Sequence, residues 1–337
     1  MKRLLLVVLT AAALVGAACG SDASEPSASG SSGKTQTVTL VLDWTPNTNH
    51  SGFYLAKAKG WYAEAGLDVK IVEPGESTTS LNQLAAGNAE FAVGVAESLL
   101  PARAAGAPVV SLGAIIQHNT SSLLSLSSDN ITRPADLAGK TYGGFGGELE
   151  TALVKQLVAC DGGDPEQVRF VEVGNVDYRV GLERDDYDFV WIFDGWDLVR
   201  LRDLEKLAVA TIPFRQWTRC IPDWYTPLVA TNEKTIGAAP ETVRAFMAAT
   251  ARGYAAAAAD PGAAADALLA AAPELDRDLV TRSAAYLAGK YAEGAPAWGV
   301  QDRAVWARFE EFLRASGLLD SPVAVDKAFT NDFLPKQ

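Results

Sequence analysis

The chain is 337 residues long, enough for two domains of ordinary size. Hydrophobic residues make up 48% and charged residues 21%, a balance that excludes intrinsic disorder for the body of the chain. A net charge of −12 argues against nucleic acid or an anionic membrane surface as partner, and the lack of any CxxC pair or HExxH motif argues against a structural zinc site.

Met1-Lys2-Arg3 is a positive start, Leu4 to Val15 an apolar run, and Gly16-Ala17-Ala18-Cys19 a small-residue close, which is the pattern of a secretion signal over residues 1–18. The run is too short for a bilayer span, which takes about 20 residues, so the exported body is expected to be soluble. Leu14 to Cys19 resembles a bacterial lipobox, with Gly16 where leucine is commoner. That resemblance implies that Cys19 carries lipid and anchors the protein outside the cell membrane. Residues 19–36 are mostly Ser, Gly, Ala, Pro and acidic residues, and should form a flexible tether. With Cys19 lipidated, Cys160 and Cys220 are left as a candidate disulfide pair, although sequence does not show that they meet.

Beyond the tether, Val38 to Leu42 reads as a buried strand, followed by the polar, proline-broken loop Asp43 to His50. A helix follows to Lys59, with Ser51 placed to cap it, then a short helical turn from Trp61 that Gly66 stops, then the alternating strand Leu67 to Ile71. The cluster Ser77-Thr78-Thr79 opens another helix that ends at Gly87 and leads into the strand Phe91 to Val95. Ser98 to Ala105 is expected as helix, and Val109 to Ile116 and Leu123 to Leu126 as strands that complete a first lobe. A second run of alternating elements from Lys140 to Thr211 should build a second open sheet. The chain then returns near Thr226, and Pro240 to Ser316 is nearly all helix, with Val305, Phe309, Phe312 and Leu313 spaced to bury one face. The domain reading is residues 37–127 plus 228–337 as lobe one and 128–227 as lobe two. Open α/β sheets bind ligands beyond the carboxyl ends of their strands. The loops after Leu42, Val95, Ile116, Tyr142 and Ile192 should therefore converge on a cleft between the lobes.

Those loops carry a resemblance. Asp43-Trp44-Thr45-Pro46-Asn47-Thr48-Asn49-His50, Lys59-Gly60-Trp61-Tyr62, Ala65 to Val69, Ala114 to Ser121, Gly143 to Gly147, Trp191 to Trp196, Tyr225-Thr226-Pro227 and Ala328 to Pro335 resemble the thiamine-pyrimidine family, over nearly the whole mature chain. That family joins bacterial solute-binding proteins for thiamine's pyrimidine half to fungal pyrimidine synthases. The resemblance implies an α/β, type-II periplasmic-binding-protein fold: two open-sheet lobes, a two-segment hinge and a ligand cleft between them. The synthases carry a cofactor-bonding lysine where Ala96 stands, a substrate histidine where Leu100 stands, and a cysteine-rich iron segment of which Cys220 alone remains. From these departures and the export signal, the chain is expected not to be an enzyme and to need no cofactor or metal.

A 4-aminopyrimidine is a flat, weakly basic ring with an exocyclic amine, so it calls for aromatic faces and an acceptor at its edge. Trp44 and Trp196 are the stacking candidates, with Tyr225 and Phe145 behind them, while Trp191, inside an apolar strand, reads as core. Asp194 follows the strand Phe189 to Phe193, at the place where the family puts a glutamate that holds the pyrimidine edge. Asn47, preferred to Asp43 as a direct contact, joins His50, Glu97, His118 and Asn119 as polar candidates. The glycine loop with Gly144, Phe145 and Gly146 could aim N–H groups at an anion, but Glu148 and Glu150 occupy the helical turn after it and would repel a phosphate. The expected ligand is a phosphate-free aminopyrimidine with a formyl or amino arm, taken up for thiamine biosynthesis through an ABC permease and its ATPase by a monomeric binding subunit. Riboflavin or another planar heterocycle is the alternative, and a pyrimidine synthase the least favoured reading.

Overall fold

The computed structural model describes residues 35–75, 78–174 and 176–336. The expected signal sequence, the lipidated Cys19, the tether up to Lys34 and Ser77 lie outside the described residues. Among the described residues, short β-branched and apolar stretches bounded by glycine or polar turns form ten strands. These are β1 (Gln36–Val41), β2 (Leu67–Val72), β3 (Phe91–Gly94), β4 (Val109–Ala114), β5 (Ser121–Leu126), β6 (Thr141–Gly144), β7 (Arg169–Glu172), β8 (Phe189–Phe193), β9 (Val209–Pro213) and β10 (Leu228–Asn232). They make two five-stranded sheets with the same plan, ordered β2-β1-β3-β10-β4 and β7-β6-β8-β5-β9. In each sheet one strand arriving from the other side of the molecule runs antiparallel between its neighbours: β10 between β3 and β4, and β5 between β8 and β9.

This arrangement corrects the expected boundary at residue 127. The strand Ser121–Leu126 pairs wholly in the second sheet, Leu123 opposite Trp191 on β8 and Ile212 on β9. Its apolar pattern fits either core equally, and only the long-range ladder decides which sheet receives it.

The plan also places the cleft. β1, β2 and β3 are parallel and β4 shares their direction through β10, so their carboxyl ends and the start of β10 form one sheet edge. By the same logic the carboxyl ends of β6, β8 and β9 and the start of β5 form one edge of the second sheet. The two chain crossings, residues 115–120 from β4 to β5 and residues 214–227 from β9 to β10, join these edges. The strand ends that should carry the site therefore meet at the crossings.

Helices cover the sheets as their apolar spacing requires. Pro240–Ala259 lies on Ser51–Ala58, where two glycines meet: a Cβ on Gly253 would stand 2.1 Å from the Gly52 carbonyl oxygen, and one on Gly52 would stand 2.4 Å from the Tyr254 ring. Phe246 from the longer helix stacks on Phe91 of β3 with ring centroids 3.8 Å apart. In the helix Arg303–Ala315 the buried face is Trp306, Phe309, Glu310 and Leu313, while Val305 and Phe312 are only half-buried. The face is turned toward Trp306, whose ring stacks on Phe329 near the chain's end. Cys160, closing the helix Glu148–Cys160, is bonded to Cys220 in the second crossing, with Cα atoms 5.6 Å apart. Among the described residues no helix is long and apolar enough to cross a membrane.

Because the Gly52–Gly253 approach leaves no room for a methyl group, Gly253→Ala should lose about 2 kcal/mol of stability to overpacking, despite alanine's better helix propensity. Guanidinium unfolding tests this, and a variant as stable as the native protein would contradict the close approach.

Candidate ligand-binding cleft

The loop after β1 is a rigid frame for one exposed ring. His50 is fully buried; its Nδ1 accepts from the Asn47 N–H at 3.2 Å, so Nε2 carries the proton donated to Asp43 Oδ1 at 2.7 Å. Asn47 Oδ1 accepts from the Asn49 N–H at 3.0 Å and its Nδ2 donates to the Thr45 carbonyl at 3.0 Å. Asn47 and His50, expected to touch ligand, are thus occupied within the loop, and Asn47 rather than Ser51 caps the turn before the helix. Tyr254 OH and Tyr291 OH hold the carbonyls of Asn49 and Thr48 from behind. What the frame presents is Trp44, 44% exposed.

The loop after β3 turns toward the crossings. Both Glu97 carboxylate oxygens are engaged there, accepting from Trp224 Nε1 at 3.0 Å and Thr226 Oγ1 at 3.1 Å. Burial pushes its pKa up to about 7 against the pull of these bonds, with the nearby Asp43 charge adding to the rise. Glu97, half-buried, therefore braces the second crossing. Asp223 joins the two crossings: His118 Nδ1 donates to its Oδ2, and the Asn119 N–H donates to its Oδ1 at 2.9 Å. Tyr225 is core, only 3% exposed, its ring against Trp306 and its OH accepting from the Asp302 N–H. The sequence placed it in the site because its loop is there, but its ring points away.

In the second sheet, Glu150 folds back over the glycine loop and accepts from the Phe145 N–H at 3.0 Å and the Gly147 N–H at 3.3 Å. A carboxylate of the protein itself thus sits where the loop amides could hold an anion. Gly146 takes φ 81°, and a Cβ on Gly144 would strike the Tyr142 ring at 2.3 Å, so the loop's shape needs both glycines. Phe145, 55% exposed, projects from it. At the end of β8, Phe193 is 42% exposed, and Asp194 begins the π-wound helix Asp194–Leu204. Phe193 was missed because an aromatic at a strand's last position looks like core until the register shows its side.

Asp194 has a buried Oδ1 with no partner within hydrogen-bond distance among the described residues, Tyr286 OH approaches its Oδ2 at 3.5 Å, and the Ser122 hydroxyl is near enough to oppose the rise that burial causes in its pKa. Burial lifts its pKa to about 6. Trp196, expected to stack on ligand, instead packs with Tyr54 against Ala265, Leu268, Leu269, Val280 and Ala284, on the helices Pro261–Ala271 and Arg277–Ala288. Beside Asp194 lies a cavity of about 280 Å³, lined by Asn119, Ser121, Asp194, Arg215, Tyr286, Lys290 and Glu293 among others. Arg215 pairs with Glu293 at 2.7 Å and Lys290 with the same carboxylate at 3.2 Å, which holds Glu293 below the usual carboxylate range, Arg215 contributing most. Tyr286, Lys290 and Glu293 escaped sequence reading, since they lie far from the strand-end loops in the chain, and Arg215 because it follows β9, a strand whose end was not among the loops expected at the cleft. A second hollow of about 310 Å³, lined by Pro46, Tyr54, Lys57, Glu73 and Glu274 among others, has no unpartnered buried polar atom among its described residues. The cavity at Asp194 does, on Asn119, Ser121 and Asp194, and is the better ligand site.

The sequence pattern of the NMT1/THI5-like family matches residues 47–264. The chain belongs to that family. Within reach of this NMT1/THI5-like protein is a formylaminopyrimidine-binding protein of Halalkalibacterium halodurans, 27% identical over 310 residues, 88% of this chain and 90% of its own. The riboflavin-binding protein RibY of Chloroflexus aurantiacus is 31% identical over 323 residues, 89% of this chain and 86% of its own. Among solved structures, the periplasmic aliphatic sulphonate-binding protein SsuA of Escherichia coli superposes with a TM-score of 0.69 at 14% identity, covering 90% of this chain and 94% of its own. The fold is thus the type-II periplasmic-binding-protein fold of two sheet lobes.

One expectation is corrected by these relatives. A 4-amino-5-hydroxymethyl-2-methylpyrimidine phosphate synthase of Legionella pneumophila is 26% identical over 310 residues, 88% of this chain and 92% of its own. The family therefore includes enzymes, and the expectation that the chain is not one does not follow from membership. The structure shows a weakness in the residue argument too: Ala96 and Leu100, on which the exclusion leaned, are both buried in the core, 1% and 0% exposed. One fold can host binding or catalysis, and the site decides between them.

The raised Glu97 pKa has a direction that can be checked. A carboxylate whose folded pKa of about 7 exceeds its ordinary 4.5 binds its proton more tightly when folded, so it destabilises the fold progressively as pH rises from 4.5 through 7. Glu97→Gln keeps an acceptor for Trp224 without the charge. It should melt above the native protein at pH 8, with the gap narrowing at pH 5. An equal drop in melting temperature at both pH values would show that the charge itself is needed.

Proposed function

We propose that this protein is the extracytoplasmic solute-binding subunit of an ABC importer, and that it closes over a planar, phosphate-free heterocycle, a thiamine-precursor aminopyrimidine first among them. The observation that carries the reading is the cavity at Asp194, whose lining holds buried polar atoms on Asn119, Ser121 and Asp194 that have no partner among the described residues, while Trp44, Phe145 and Phe193 are exposed just after or at the ends of β1, β6 and β8. Apolar ring faces with a few converging polar groups are the ordinary composition of a small-molecule site. In this reading Trp44 and Phe145 stack on the ring, Asp194 accepts from its amine, and the 115–120 and 214–227 crossings form the hinge between the lobes. The formylaminopyrimidine-binding relative supports the ligand class. The permease and ATPase would be its partners, the chain a monomer, and Cys19 its lipid anchor.

Riboflavin is the second reading, favoured by the 31% identity to RibY. The cavity's size weighs against it: about 280 Å³ lies just below the roughly 300–1,000 Å³ of ligand sites, and suits one ring with a short arm better than three fused rings.

Titration calorimetry with formylaminopyrimidine and with riboflavin separates the readings. Trp44→Ala and Asp194→Ala should each weaken binding at least tenfold, about 1.4 kcal/mol, and leave the melting temperature of ligand-free protein nearly unchanged. Absence of binding by both compounds would overturn the proposal, and unaltered affinity would remove the substituted residue from the site.

A further inference from the structure

We propose that Asn119 is a specificity-determining residue of the cavity, whose side-chain amide N–H donates to an acceptor atom on the ligand ring, beside the donor that Asp194 receives. This inference rests on the reading of the cavity as a heterocycle site.

Asn119 is 2% exposed and lines the cavity. Its Oδ1 accepts from the Ser121 N–H at 2.7 Å, and its own N–H donates to Asp223 Oδ1 at 2.9 Å. An asparagine side chain has one carbonyl and one NH2. With the carbonyl fixed on Ser121, the amide cannot be turned over without breaking that bond, and its Nδ2 has no partner among the described residues. Asp194 Oδ1 is the matching acceptor without a partner. The two residues are neighbours across the start of the β5–β8 ladder, where Ser121 faces Phe193 and the Asp194 N–H donates to the Thr120 carbonyl at 2.9 Å. The cavity wall thus offers a donor next to an acceptor, and its complement is an acceptor next to a donor on one planar edge. An unprotonated ring nitrogen beside an exocyclic amine fits, and so does a ring carbonyl beside a ring N–H. A ring nitrogen carrying a proton does not fit, because it would meet the Asn119 NH2 donor to donor.

The experiment is a cycle of two ligands and two proteins in titration calorimetry. The ligands are formylaminopyrimidine and its analogue with C–H in place of the ring nitrogen beside the amine. The proteins are the native chain and Asn119→Asp, which keeps the acceptor for Ser121 and removes the donor. Native protein should prefer the parent compound at least tenfold, and Asn119→Asp should reduce that preference below twofold. Equal native affinity for the two compounds, a measurement that needs no variant, overturns the inference, as does a preference that survives Asn119→Asp. If native protein binds riboflavin and neither pyrimidine, Asn119→Asp must weaken riboflavin at least tenfold or the inference fails. If it binds none of the three, the proposed function itself falls, and this inference with it.

Discussion

The carboxylate of Asp223 sits where the chain passes between its two sheets in both directions. By accepting from His118 and from the backbone of Asn119, it ties the β4–β5 crossing to the β9–β10 crossing. Glu97 extends the tie to the first sheet by taking the Trp224 indole N–H and the Thr226 hydroxyl from the same second crossing. Every strand end that contributes to the cleft is positioned relative to these crossings. Charge-assisted hydrogen bonds are strong and directional, so a few of them at a crossing fix the geometry of much larger bodies.

A second set of contacts bridges the far side of the cleft. Ser283, on the helix Arg277–Ala288, bonds both Thr48 in the loop after β1 and the Gly195 carbonyl just after β8. On the same helix Tyr286 reaches Asp194, and a Cβ on Gly195 would stand 2.9 Å from Leu287. Trp196 adds apolar area to this bridge. The wall of the cavity is built from the second sheet's edge, the two crossings and a late helix with the segment after it, and Ser283 ties that helix to the loop after β1. Parting the edges would break the Ser283 bonds and uncover Trp196, while a ligand that bonds Asp194 and stacks on the exposed rings would hold them together.

The cleft's charge pattern connects these contacts to ligand chemistry. Glu150 occupies the glycine-loop amides, and in the cavity wall Asp194 and Asn119 keep buried polar atoms with no partner among the described residues, atoms that call for hydrogen bonds. Across the cavity Glu293 already pairs with Arg215 and Lys290, so those cations are largely answered within the protein.

Much of the fold was legible in the sequence. An apolar run gave β1 and alternating apolar residues gave β2, glycines at 66 and 87 ended the helices before them in the left-handed region, and the strand–helix rhythm required open sheets with a site at the carboxyl ends of the strands. Local periodicity carries that information because it depends on which face of one element is apolar. Other decisions belonged to the tertiary structure. The sheet that receives Ser121–Leu126 is set by a long-range ladder. The roles of Asn47, His50, Glu97, Tyr225 and Trp196 are set by partners that take up their hydrogen bonds or rings, some of them more than 100 residues away for Glu97. Trp44, Phe145 and Phe193 are exposed for the complementary reason, since little among the described residues covers them. A polar or aromatic residue can serve a ligand only with the bonding capacity and surface that the fold leaves over. The sequence alone determined which loops could hold a site; the packing decided which side chains in them are free.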